Sequence, residues 1–100
     1  MTEIETYSND IKILCSKHKV KRLYAFGSIL TEKYNSTSDI DLIVDFDSID
    51  VAQYADNYYD LKFSLEDILH RRVDLLEEQA IKNPYFKQVI NQQRQLIYGH

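Results

Sequence analysis

Apolar residues recur at helical spacing at Ile4, Tyr7, Ile11, Leu14 and Cys15, which predicts a first helix from about Glu3 to Lys17. Thr2 and Glu5 stand three apart, as a capping box at its start requires. Val20 to Phe26 then reads as a buried strand, and a short helix is expected after it to about Lys33. Tyr34-Asn35-Ser36-Thr37-Ser38 is a polar loop. From Asp39 to Phe46 the pattern changes to alternation: Ile40, Leu42, Val44 and Phe46 fill one strand face, and Asp39, Asp41 and Asp45 mark the other. Asp50 can cap a helix whose stripe is Val51, Tyr54, Ala55, Tyr58, Leu61, Leu65, Ile68 and Leu69; Ser64 and Asp67 suit a fresh start, leaving room for a break near Phe63. Arg71 to Leu76 is a short third strand. Asn83 before Pro84 starts a last helix, with Tyr85, Phe86, Val89, Ile90, Leu96 and Ile97 carrying its stripe to near Gly99.

Helices alternating with three short strands predict an α/β fold, a small sheet covered by helices. One hundred residues, 44% of them hydrophobic, suit one core, so residues 1–100 read as a single domain. The net charge of −4 argues against direct nucleic-acid binding, which favours a basic face. The one basic cluster, Lys17-His18-Lys19 with Lys21-Arg22, reads as a solvated loop, and His18 receives no role. A lone cysteine, Cys15, excludes an intramolecular disulfide and a zinc framework and is read as a small core residue. The opening MTEIETYSND has no apolar signal region, and no apolar run is long enough to cross a bilayer; the expectation is a cytoplasmic protein without a membrane partner.

Candidate chemistry gathers between Gly27 and Val44. Gly27-Ser28 joins a strand to a short helix, where a glycine admits close backbone approach, a helix start offers free N–H groups and a hydroxyl adds a donor for phosphate. Asp39 and Asp41, two apart on a strand, share a face and can converge on a cation. Alone, Asp39-Ile40-Asp41 is equally a polar strand edge, and Asp45 and Asp47 read as surface carboxylates. Asp74 is embedded in Val73-Asp74-Leu75, where an unpaired charge is expensive. Its partner is a cation at the site or else Arg71 or Arg72; the remaining alternative is simple exposure.

Gly27, Ser28, Asp39 and Asp41 together match the Gly-Ser, ten residues, Asp-x-Asp signature, and on these residues the chain resembles the DNA polymerase β-like nucleotidyltransferases. The resemblance runs from about Leu23 to Leu76, and its shortness is similar to the minimal nucleotidyltransferase (MNT) branch, often antitoxins paired with a HEPN-domain toxin. Asn83-Pro84-Tyr85-Phe86 also resembles that branch. The resemblance implies the mixed sheet of the nucleotidyltransferase fold, ATP as substrate, and Mg2+ or Mn2+ held by Asp39, Asp41 and Asp74. It also implies phosphate binding at Gly27 and Ser28, Asp74 as base, and AMP transfer to a hydroxyl of the HEPN toxin, most simply a tyrosine. One departure stands out: the Arg-Gly usual three and four residues after the serine is Thr31-Glu32 here, with Lys33 next. Two alternatives follow, an antitoxin acting by contact alone and a small-molecule nucleotidyltransferase. Tyr54, Tyr58 and Tyr59 suit a partner surface, although the first two equally suit the core, and homo-oligomerisation stays open.

Overall fold

The computed structural model describes residues 2–35 and 37–99, with only the backbone of Thr2. Its elements in order are α1 (Thr2–Thr6), α2 (Ser8–Lys17), β1 (Val20–Phe26), a 3-10 turn (Gly27–Leu30) and β2 (Ile40–Phe46). There follow α3 (Val51–Leu69), β3 (Val73–Glu77), a second 3-10 turn (Glu78–Ala80), α4 (Pro84–Gln93) and β4 (Gln95–Tyr98). The strands form one mixed sheet in the order β3-β2-β1-β4. β1 runs antiparallel to β2 and β4, while β3 lies parallel to β2. A parallel pair needs a long crossover, and α3 supplies it.

Alternation decides the two faces of the sheet. Leu23 and Ala25 of β1, Ile40, Leu42 and Val44 of β2, and Val73 and Leu75 of β3 point to one side. They meet Ile11 and Cys15 of α2 and Leu61, Leu65 and Leu69 of α3. Fully burying each large aliphatic side chain contributes on the order of 1.5–3 kcal/mol, so this face stabilises the fold. Leu61, Leu65 and Leu69 recur every four residues and are all buried, which keeps α3 continuous: the expected break near Phe63 is absent. Asp50 accepts from the Ala52 N–H at 3.2 Å, and Asn83 accepts from Tyr85 and Phe86 at 2.9 and 3.2 Å, so both expected caps form. The expected Thr2–Glu5 capping box involves a side chain outside the described residues.

The ends of the chain depart from expectation. The first helix is bent at Tyr7, whose ring meets His70 edge-on at 6.2 Å; the bend lets both Ile4 and Ile11 bury. The last helix stops at Gln93, and Leu96 and Ile97, adjacent apolar residues compatible with either period, form β4 against β1. His18 is buried rather than solvated. Its Nε2 stands 2.6 Å from Asp60 Oδ2 and its Nδ1 2.7 Å from the Leu14 carbonyl, while Asn57 donates to the His18 carbonyl at 2.8 Å. These bonds join the end of α2 to α3.

Candidate active site

The opposite face of the sheet carries the acids. β1 ends where β2 begins, and the register pairs Phe26 with Asp41. On the other side of β2 the parallel register sets Asp41 directly beside Asp74. Phe86 meets Phe26 edge-on at 6.4 Å and the Arg94 guanidinium lies 4.1 Å over the Tyr24 ring. Directly paired residues share a face, so α4 roofs the same side as Asp41. The sequence pattern had left this neighbour unassigned.

Gly27 has φ +77°, and a Cβ there would lie 2.6 Å from Asp41 Oδ2. The position therefore needs glycine twice over, for its left-handed backbone and for the carboxylate pressed against it. The 3-10 turn after it closes when the Thr31 N–H and hydroxyl both donate to the Ser28 carbonyl, each at 2.9 Å. Asp41 is half-buried, whereas Asp39 and Asp74 are exposed. Burial, then the neighbouring charges of Asp74 and Asp39, push the Asp41 carboxyl above the usual aspartate range. Three acids thus repel one another across the starts of two strands.

Neither of the alternative ion pairs to Asp74 forms. Arg71 instead binds Glu3 at 2.9 Å, and Arg72 makes no ion pair or hydrogen bond through its side chain among the described residues. Asp45, expected as a surface carboxylate, is instead half-buried, its side chain 14% exposed, and pairs with Arg22 at 3.3 Å. Beyond Asp74, a hollow of about 640 Å³ opens between α3 and β3, with Asp39, Asp74, Lys62, Phe63, Arg71 and Arg72 among the residues that line it. Tyr59 stacks on Phe63 and both rings are exposed, whereas Tyr54 and Tyr58 pack against the core. Phe63 off the apolar stripe of α3 was the available sequence signal for this wall.

Among the described residues, no group of three or more His, Cys, Asp or Glu side chains is gathered closely enough to hold a metal ion unaided. Hard divalent cations are nonetheless commonly held by one or two carboxylates, with phosphate oxygens and water completing the shell. All-oxygen donors beside the Gly27 turn fit that division, and the Asp41 carboxyl, raised first by burial and then by the charges of Asp74 and Asp39, is one that a cation would relieve.

The family profile described as nucleotidyltransferase domain matches residues 9–97. A presumed protein adenylyltransferase of Methanocaldococcus jannaschii, MJ1379, is 40% identical over 87% of this chain and 84% of its own length. Protein adenylyltransferase MntA of Thermococcus cleftensis is 30% identical over 87% of this chain and 82% of its own. Among solved structures, a presumed minimal nucleotidyltransferase superposes with TM-score 0.75 at 25% identity, covering 91% of this chain and 89% of that one. A toxin-antitoxin structure with AMP-PNP gives 0.69 at 26%, covering 93% and 73%. A tri-AMPylated Shewanella oneidensis HEPN toxin in complex with MNT antitoxin gives 0.65 at 24%, covering 97% and 73%, which speaks for the fold. With the Gly-Ser turn and the Asp-x-Asp strand both inside the matched span, the chain belongs to the nucleotidyltransferase domain family, in the branch of the MntA-type protein adenylyltransferases.

Proposed function

We propose that residues 1–100 act as one catalytic domain, an antitoxin that transfers AMP from ATP to a tyrosine hydroxyl of a partner HEPN toxin. The observation that carries this reading is the register that sets Asp41 between the Gly27 turn and Asp74. The Gly27-Ser28 turn presents its backbone N–H groups and the Ser28 hydroxyl to the terminal phosphates of ATP. Asp39, Asp41 and Asp74 are the residues that would hold Mg2+ or Mn2+, which when bound neutralises phosphate charge. The acceptor enters through the hollow on the β3 side, where Lys62, Phe63 and Arg72 form its wall. Its oxygen attacks the α-phosphorus, the bond from that phosphorus to the bridging oxygen of the β-phosphate breaks, pyrophosphate leaves, and Asp74 takes the hydroxyl proton. The MntA relative and the toxin complexes with AMP-PNP and with AMPylated HEPN toxin support donor and acceptor. No described helix is long and apolar enough to cross a membrane, and a cytoplasmic site of action is part of the proposal.

A second reading, neutralisation by contact alone, is favoured by Thr31-Glu32, which leaves the turn without the forked cation usual in relatives. Co-expression with the cognate HEPN toxin separates the two. The wild-type chain is expected to add the mass of one or more AMP units to the toxin, and the nearly isosteric Asp74→Asn chain to add none and to fail to protect cells. Full protection by a folded Asp74→Asn chain, with unmodified toxin in both cases, would leave only the contact reading.

A further inference from the structure

Asp39 stands outside the regular strand, between Ser38 and the first residue of β2, and yet both of its neighbours are tied down. On one side the Ser38 carbonyl accepts from Arg71 Nη1 at 2.9 Å; on the other the Ile40 N–H donates to the Arg72 carbonyl at 2.9 Å. The same Arg71 Nη1 also reaches the Asn35 carbonyl at 2.8 Å, its Nη2 binds Glu3 Oε1 at 2.9 Å, and its guanidinium lies 5.0 Å over the Tyr34 ring. One planar fork therefore fastens both ends of the loop to α1 and to the turn after α3. That turn is itself set by His70, which caps α3 at φ +55° and aims the following residue back across the sheet.

We infer that Arg71 is a positioning residue: by clamping the backbone just before Asp39, it holds that carboxylate where it can join Asp41 in receiving a divalent cation with its nucleotide. The inference rests on the proposed roles of Asp39 and Asp41. An isolated surface ion pair to Glu3 would contribute little and would tolerate lysine. A fork shared by two carbonyls, a carboxylate and an aromatic face would not, because an ammonium is a point charge without the planar set of donors. Arg71 lines the hollow through which the acceptor enters, but its hydrogen bonds go to the two loop carbonyls and to Glu3, and the role assigned to it is exerted through the backbone before Asp39.

The test compares wild type, Arg71→Lys and Asn83→Ala, the last of which removes the α4 cap far in sequence from the loop. Three quantities are read: melting temperature, kcat and KM for AMP transfer to the toxin, and Mn2+ affinity with α,β-methylene ATP, a nucleotide that cannot transfer AMP. For Arg71→Lys the expectation is a fall of about tenfold or more in kcat and in Mn2+ affinity; the latter, read without toxin, is the quantity that a mere part in the acceptor wall would not move. Asn83→Ala is expected to lower the melting temperature without moving either. Arg71→Lys with wild-type kcat and Mn2+ affinity would overturn the inference, as would parallel losses in Asn83→Ala. Should the wild type add no AMP, the transfer reading falls while Mn2+ affinity still decides: equal affinity in Arg71→Lys, or no Mn2+ binding by wild type, overturns the role given to Arg71.

Discussion

Gly27 does two jobs that a single methyl group would end. Alanine there meets a left-handed backbone and places its Cβ 2.6 Å from Asp41 Oδ2, too near for the carboxylate to stay. Gly27→Ala is expected to lower stability by about 1–2 kcal/mol and to weaken Mg2+-ATP binding by at least about tenfold, read by thermal melts and calorimetry. Gly99→Ala is a stringent comparison, since its Cβ would fall 2.3 Å from the Lys21 carbonyl at φ +100°. It should destabilise the chain and spare nucleotide affinity in the folded fraction; equal losses of affinity would show that Gly27 matters only to folding. The candidate acids and Gly27 were legible in the sequence because each carries a spacing: two residues along a strand, or a strand end before a turn. Arg71 was not, because its partners are two loop carbonyls and Glu3, and no local pattern links position 71 to position 3.

Among the elements, the turn after Ser28 carries the departure from the Arg-Gly pattern that the family resemblance implies at Thr31 and Glu32. Thr31 spends its hydroxyl on the Ser28 carbonyl and on the Lys33 N–H, at 2.9 and 3.2 Å, and both Thr31 and Glu32 are exposed. Thr31→Arg with Glu32→Gly is expected to tighten ATP binding by about 1.5–3 kcal/mol, the range of a hydrogen bond to a charged group. Calorimetry giving equal affinity in the two proteins would mean that Lys33 or Arg72 already supplies the cation. The helix stripe of α3 and the caps of α3 and α4 were readable because they depend on neighbours within a few residues. β4 was not: Gln95-Leu96-Ile97-Tyr98 is too short to show a period, and it becomes a strand only because β1 offers a free edge. Cys15, fully buried on α2 with its thiol pushed by burial up to about 12, is expected to resist a thiol reagent in the folded chain and to react on unfolding.

Across the whole molecule, stability and the site pull against each other. In the metal-free chain the raised Asp41 carboxyl holds its proton more tightly folded than unfolded, so its contribution favours folding at acid pH and fades as pH rises through the window above the ordinary aspartate value. Glu3 has the opposite sign. Burial alone would raise it, but its own backbone N–H and the charge of Arg71, bonded to it at 2.9 Å, hold it below the usual range, giving stability above the ordinary glutamate value that is lost as pH falls. At neutral pH, Asp41→Asn is therefore expected to melt above wild type and Glu3→Gln below it, both differences closing as pH falls through the carboxylate range. An Asp41→Asn chain no more stable than wild type at neutral pH would remove the carboxylate repulsion from the account.

The parallel pairing of β2 with β3 also sets an expected order of events in folding, which pulsed hydrogen exchange would read. β1 and β2 are antiparallel neighbours joined by one connection, so the Gly27 turn and Asp41 can meet early. Asp74 reaches Asp41 only after the whole of α3 has crossed beneath the sheet, a contact of long loop closure and hence of slow formation. The acid assigned to take the proton is thus the last to arrive. A chain still emerging from synthesis can carry the phosphate turn and two of the acids, but the complete site appears only when the crossover is finished, which ties any catalytic protection to fully folded antitoxin.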